Sequence, residues 1–126
     1  MTKILLVLLG GAIGTGFRFG VVNLVAYLLR QPPKYPLATF IINLTGSFVI
    51  GFLAELFDAR MPVSPELRAM LLVGVLGGYT TFSSFSLETL NLIRDNQPGA
   101  AFLYSAGSVL LGLIATWLGV QSVRMI

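Results

Sequence analysis

The chain contains no cysteine and no histidine. The first absence excludes a disulfide framework and thiolate chemistry. The second removes zinc-type ligand sets, Ser–His triads and imidazole acid–base catalysis. Charge is scarce too: 10% of the 126 residues are charged, where a soluble domain carries about a quarter. In its place the sequence is 56% hydrophobic, with a mean hydropathy of +0.88. Its 14 glycines and 9 phenylalanines suit helices packed closely in lipid better than a soluble core. Net charge is +3, from eight Lys/Arg against five Asp/Glu. Most of those cations fall at the chain ends or in short gaps between apolar runs. They read as headgroup anchors, not as a nucleic-acid surface. This is the composition of an integral membrane protein.

A bilayer core of roughly 30 Å takes about 20 helical residues to cross. Four apolar runs meet that length, at residues 4–29, 35–54, 69–87 and 99–123, the first interrupted only by Arg18 and Asn23. Arg30-Gln31-Pro32-Pro33-Lys34 separates the first pair, because consecutive prolines stop a helix. A charged stretch from Glu55 to Glu66 separates the second pair, with Ser64 placed to cap and Pro65 at the first turn of the next helix. Arg94-Asp95-Asn96-Gln97-Pro98 makes the last gap. The pattern predicts an all-α protein, a single transmembrane domain over residues 1–126 with helices near 3–29, 36–57, 65–93 and 98–124. Lys3 ahead of an apolar run also resembles a secretory signal, but no A-x-A site follows and Arg18 sits where cleavage would fall.

Orientation follows the Lys/Arg balance between the two sides. One side holds Lys3, Arg60, Arg68 and Arg124; the other holds Arg30, Lys34 and Arg94. Four against three is almost no bias. Such a chain can insert both ways, which permits an antiparallel homodimer about an in-plane two-fold axis, the two-chain equivalent of an inverted repeat. The charges leave single and dual orientation equally open. Four short helices have little interior for a permeation path, and small-xxx-small pairs are frequent: Gly10/Gly14, Gly16/Gly20, Gly74/Gly78 and Ser108/Gly112. Together they favour a tight oligomer.

The densest signal lies in the third helix. From Tyr79 to Ser86, six of eight side chains carry a hydroxyl and the other two are phenylalanine. Gly77-Gly78 followed by Thr80-Thr81 is a poor helix centre, so a break is expected there. Irregular backbone at this depth is tolerated only where it is buried in protein or lines a polar cavity. Carbonyls freed near a two-fold axis can hold a small hard cation such as Na⁺. Phe82 and Phe85 share a face, and the positive edge of a phenyl ring favours an anion. Simple packing is the plainer reading of such a pair alone, and the hydroxyls and glycines around it shift that balance.

Thr39, Asn43 and Ser47 recur every four residues on the second helix, and Tyr104, Ser108, Gly112 and Thr116 form a matching stripe on the fourth. Asn43 offers amide donors near the membrane middle; it can link helices or donate to an ion. No carboxylate accompanies these donors until Glu88. Donors without carboxylates suit a small, strongly hydrated anion, since each replaces a lost water. Glu88 is expected near the far end of the third helix, pairing with a cation or hydrogen-bonding Thr116. Arg18 is the one charge deep in the first span. It should face a vestibule or a partner, because an unpaired arginine in lipid is costly.

These motifs resemble the Fluc (CrcB) family of small fluoride channels, over the whole chain. Gly10-Gly11-Ala12-Ile13-Gly14-Thr15-Gly16-Phe17-Arg18-Phe19 resembles its glycine-rich first-helix motif ending in arginine. Asn43-Leu44-Thr45-Gly46-Ser47-Phe48-Val49-Ile50-Gly51 resembles its N-x-x-G-x-F-x-x-G signature. Gly77-Gly78-Tyr79-Thr80-Thr81-Phe82-Ser83-Ser84-Phe85-Ser86 resembles its third-helix G-G-x-T-T-F-S-[ST]-F-S hallmark, with Tyr79 and Ser84 at variable places. The resemblance implies a passive fluoride-selective channel in the bacterial inner membrane. It implies an antiparallel, dual-topology homodimer with two pores and a central structural Na⁺, the sodium held by the backbone carbonyls of Gly77 and Thr80 from both subunits. By position, Asn43, Phe82, Phe85, Tyr104 and Ser108 would line the fluoride pore. Ser83, Ser86, Glu88 and Thr116 would form a polar track, with Arg18 at a vestibule. Gly112 leaves a gap in that fourth-helix stripe. The implied partners are a second copy, fluoride and the lipid bilayer, with no nucleic acid and no enzymatic activity.

Two other classes fit less well. A proton-coupled exporter of hydrophobic cations wants a membrane-embedded carboxylate, and the first two spans contain none before Glu55. A membrane enzyme would need a Ser–Lys or carboxylate pair, yet Lys3 and Lys34 lie at the membrane edges. A purely structural subunit leaves the buried donors without a purpose.

Overall fold

The computed structural model describes residues 1–30 and 35–126. Residues 31–34, which include Lys34 of the charge balance and the Pro32-Pro33 pair, lie outside the described residues. All regular structure among the described residues is helical. Helix α1 spans Thr2–Leu29 and α2 spans Leu37–Ala59. The third span, Pro65–Arg94, is built from four pieces: α3 (Pro65–Ala69), a π-helical segment (Met70–Val75), α4 (Leu76–Tyr79) and α5 (Phe82–Arg94). Helix α6 spans Pro98–Met125. The four spans, of 28, 23, 30 and 28 residues, are each long and apolar enough to cross a membrane. At about 1.5 Å per residue the longest reach roughly 45 Å, so they tilt or carry their ends into the headgroup layer.

Local chemistry sets the boundaries. Ser64 accepts the Leu67 N–H at 3.2 Å, with Pro65 opening the helix and Glu66 in its first turn. Arg30 ends α1 in the left-handed region at φ 55°, its N–H donating to the Tyr27 carbonyl at 3.3 Å. Asn96 takes φ 56° between α5 and α6, and the N–H of Gln97 reaches back to the Leu92 carbonyl at 2.9 Å. Asparagine tolerates that backbone because its short side chain does not clash there.

Two helix pairs carry the fold. Helix α2 packs most extensively on α6, and α1 packs on the π segment and α4. Both contacts are backbone to backbone. A Cβ at Gly51 would run into the Thr116 carbonyl, and one at Gly119 into the Phe48 carbonyl. On the other side, a Cβ at Gly10 would lie 2.5 Å from the Met70 oxygen, and one at Gly78 would lie 2.5 Å from the Gly11 oxygen. Gly10/Gly14 and Gly74/Gly78 are therefore used inside one chain, which corrects their reading as oligomer contacts. Gly16 and Gly20 meet nothing.

Few side chains are fully enclosed; Ile42 and Val123 are the largest. The outer surface is apolar instead, with Phe19 70%, Phe102 69% and Leu103 73% exposed, as expected of a face presented to lipid. Arg124 Nε pairs with Glu55 Oε1 at 2.8 Å and Arg68 Nη1 with Asp58 Oδ1 at 2.6 Å. These pairs tie α6 and α3 to the end of α2.

Candidate functional site

The expected break is present. Helix α4 stops at Tyr79, Thr80 is extended (φ −80°, ψ 159°), and Thr81 (φ −150°, ψ 119°) caps α5. In a continuous helix the Thr81 N–H would serve the Gly77 carbonyl, and the Ser84 N–H would serve Thr80. Both donors are diverted. The Thr81 N–H donates to Asn43 Oδ1 at 2.9 Å, and Asn43 Nδ2 returns a bond to the Thr81 carbonyl at 3.0 Å. The Ser84 N–H donates to Thr81 Oγ1 at 3.2 Å. The carbonyls from Gly77 to Thr80 thereby lose their helical partners, and such carbonyls are uncharged hard oxygen donors of the kind that suit Na⁺. Nothing lies within 4 Å of where a Gly77 Cβ would be. Asn43, Ser47, Gly77, Thr80 and Phe82 line one open groove at this point.

From the groove an aromatic row runs along α5. The Phe82 and Phe85 rings sit 5.6 Å apart at 40°, and Phe85 sits 5.3 Å from Tyr104 at 47°. Phe82 is 77% exposed, projecting beyond the chain's own helices. The row ends in a carboxylate held on both oxygens. Thr39 donates to Glu88 Oε1 at 2.7 Å and Tyr104 donates to Oε2 at 2.8 Å. Glu88 also borders a recess that Thr39, Asn91 and Asp95 line together with Val22, Pro36 and Leu92. One turn along α6 from Tyr104, the Ser108 hydroxyl is buried with no hydrogen-bond partner. An orphaned hydroxyl in such a place is a donor available to an anion.

Asn43, Gly77, Thr80 and Phe82 thus meet in one groove, and Phe82, Phe85, Tyr104 and Glu88 form a continuous row. Other expectations need correcting. Glu88 lies toward the far end of the third span, six residues before Arg94, but it does not bond Thr116, whose hydroxyl donates to the Gly112 carbonyl at 3.0 Å. Tyr104 and Thr116 are twelve residues apart on α6, about 18 Å, which puts Thr116 out of reach of the Glu88 cluster. Ser86 turns back to the Phe82 carbonyl at 3.0 Å, and Ser83 lies 3.4 Å from Thr81 Oγ1. The polar track therefore does not assemble within one chain. Arg18 stands apart on α1, half-buried and without an ion pair among the described residues.

Two contributors are new to the site. Thr39 completes the Glu88 cluster, and Ser47 Oγ lies 3.5 Å from where a Gly112 Cβ would be. The gap in the α6 stripe is thus filled from α2. The Thr39/Asn43/Ser47 spacing was the available signal for both.

Residues 5–120 match the family described as CrcB-like protein, Camphor Resistance (CrcB). The chain belongs to the CrcB family. A relative from Methylobacillus flagellatus, named fluoride-specific ion channel FluC, is 44% identical over 126 residues, 99% of this chain and 97% of its own. Proteins of the same name from Stutzerimonas stutzeri and Rhizobium meliloti are 47% identical over 116 residues and 45% over 124. These alignments cover 92% and 98% of this chain, with the same shares of those relatives. The CrcB motifs fall on the break, on the Asn43 stretch of α2 that holds it, and on the glycines of α1 that face it. The CrcB chain is thus a multi-pass membrane protein, and its relatives are named as channels, not as enzymes.

Proposed function

We propose that the protein is a passive, fluoride-selective channel that lets cytoplasmic fluoride leave a bacterial cell through the inner membrane. Hydrogen fluoride enters acidified cells as a neutral molecule and dissociates inside, and the channel releases the trapped anion. The observation that carries this reading is the continuous row from the Asn43–Thr81 break through Phe82 and Phe85 to Tyr104, with the unpaired Ser108 hydroxyl beside it. Fluoride loses its hydration shell only if donors replace it. Along this row the donors are an amide, hydroxyls and ring edges. Asn43 spends one N–H on Thr81 and keeps a second for the ion. The names of the relatives support the same substrate.

The working unit in this reading is an antiparallel, dual-topology homodimer with two pores. The groove holding Gly77 and Thr80 is open on the chain's surface, and Phe82 projects from it. A second copy about an in-plane two-fold axis covers that groove and adds its own Gly77 and Thr80 carbonyls. Those four oxygens would hold the central Na⁺, whose chemistry is structural: it ties two breaks together by charge.

Purified protein in liposomes, followed with a fluoride electrode and a chloride control, tests the channel. Fast fluoride loss with chloride retained is expected, and Phe82→Ile should slow it without dissociating the dimer. Silence from dimeric wild-type protein would overturn the reading.

A further inference from the structure

We propose that Tyr79 is a positioning residue: its hydroxyl, fastened to Thr45 on α2, holds the Gly77 and Thr80 carbonyls at the spacing a bound cation requires. The proposal rests on the Na⁺ reading above and deepens it. The break consists of two residues, Thr80 and Thr81, and α2 grips it on both sides. After Thr80, Asn43 fastens the Thr81 backbone through two bonds. Before Thr80 the only side-chain anchor to α2 among the described residues is Tyr79, at 2.9 Å from Thr45 Oγ1. The Ile41 carbonyl, 2.7 Å from Thr45 Oγ1, can only accept, so all three groups are satisfied when the Tyr79 hydroxyl donates to Thr45.

The approach is made possible by Gly46. A Cβ there would stand 3.4 Å and 3.7 Å from two carbons of the Tyr79 ring and inside the Thr80 methyl. Ring and methyl therefore lie against bare α2 backbone. Thr80 Oγ1 donates to the Leu76 carbonyl at 2.8 Å, binding the extended residue back to the last turn of α4. With Tyr79 fastened, α4 cannot rotate about its axis relative to α2, and the Gly77 carbonyl rides on that turn. Without the hydroxyl the ring still fills its place, but the turn is free to rotate. Binding a cation must then order it first, which lowers affinity without altering the occupied state.

Tyr79→Phe and Thr45→Val each delete one partner while keeping shape. The test uses the full-length dimer, with thermal unfolding and fluoride efflux both measured across a range of Na⁺ concentrations at constant ionic strength. Half-saturating Na⁺ should rise roughly five- to a hundredfold in each variant, the effect of losing one hydrogen bond in each of the two subunits that share the ion. It should rise no further in the double variant, and flux at saturating Na⁺ should match wild type. A purely structural bond would instead lower unfolding temperature equally at every Na⁺ concentration. That result, or an unchanged half-saturation point in both single variants while wild type responds to Na⁺, overturns the clamp. A wild-type protein whose unfolding and flux ignore Na⁺ overturns the cation itself, and the clamp with it.

Discussion

Asn43→Asp is close to isosteric and separates two roles that Asn43 combines. The carboxylate keeps an oxygen opposite the Thr81 N–H, now 2.9 Å away, but it replaces the Nδ2 donor that faces the Thr81 carbonyl at 3.0 Å. One hydrogen bond is lost, at about 1 kcal/mol net, and the carbonyl is left against an oxygen, at a further 1–3 kcal/mol or so. Thr81 is 8% exposed, so water offers little relief. The sum is roughly 2–4 kcal/mol per subunit. Thermal or denaturant unfolding of the purified protein in detergent measures it, with liposome fluoride efflux run in parallel. Asn43→Ala should cost more, since both Thr81 groups then lose their partner. If Asn43 served the ion alone, Asn43→Asp would abolish flux and leave stability untouched. Stability within about 0.5 kcal/mol of wild type, the range of an indifferent surface change, would refute the assignment of Asn43 as the element that diverts the Thr81 N–H.

Gly51→Ala should push α2 off α6, because its Cβ meets the Thr116 carbonyl; a loss of roughly 1–3 kcal/mol is expected in the same unfolding assay. Gly16→Ala, with open space around it, should be neutral or slightly stabilising through helix propensity. Thr39→Val removes the hydroxyl that donates to Glu88 Oε1 at 2.7 Å, a hydrogen bond worth about 0.5–1.5 kcal/mol net. It should lower both unfolding temperature and fluoride efflux. Arg124→Ala, by contrast, breaks a pair whose arginine is 61% exposed and should leave thermal unfolding nearly unchanged.

The uses of the small-residue pairs show where sequence reasoning runs out. Gly10/Gly14, Gly16/Gly20 and Gly74/Gly78 look alike in sequence, yet the first and last face each other inside one chain and the middle pair meets nothing. Spacing says that a helix face is smooth; it does not say which helix arrives there. The π segment at Met70–Val75 was likewise illegible, since its composition is that of any apolar helix. The break was legible because Gly77-Gly78-Tyr79-Thr80-Thr81 is a poor helix centre wherever it packs.

The sequence alone determined the solvent and the building blocks. Its four long apolar runs, separated by proline and charge, can satisfy their backbone polar groups in lipid only as helices. The glycine, threonine, serine and phenylalanine residues of the hallmark are local and recognisable without a fold. The tertiary structure decided who partners whom. Asn43 and Thr81 are 38 residues apart, Thr39 and Glu88 are 49 apart, and Thr45 and Tyr79 are 34 apart. Hydroxyls and amides form bonds with many alternatives, so only the packing of α2 against the third span and α6 selects these.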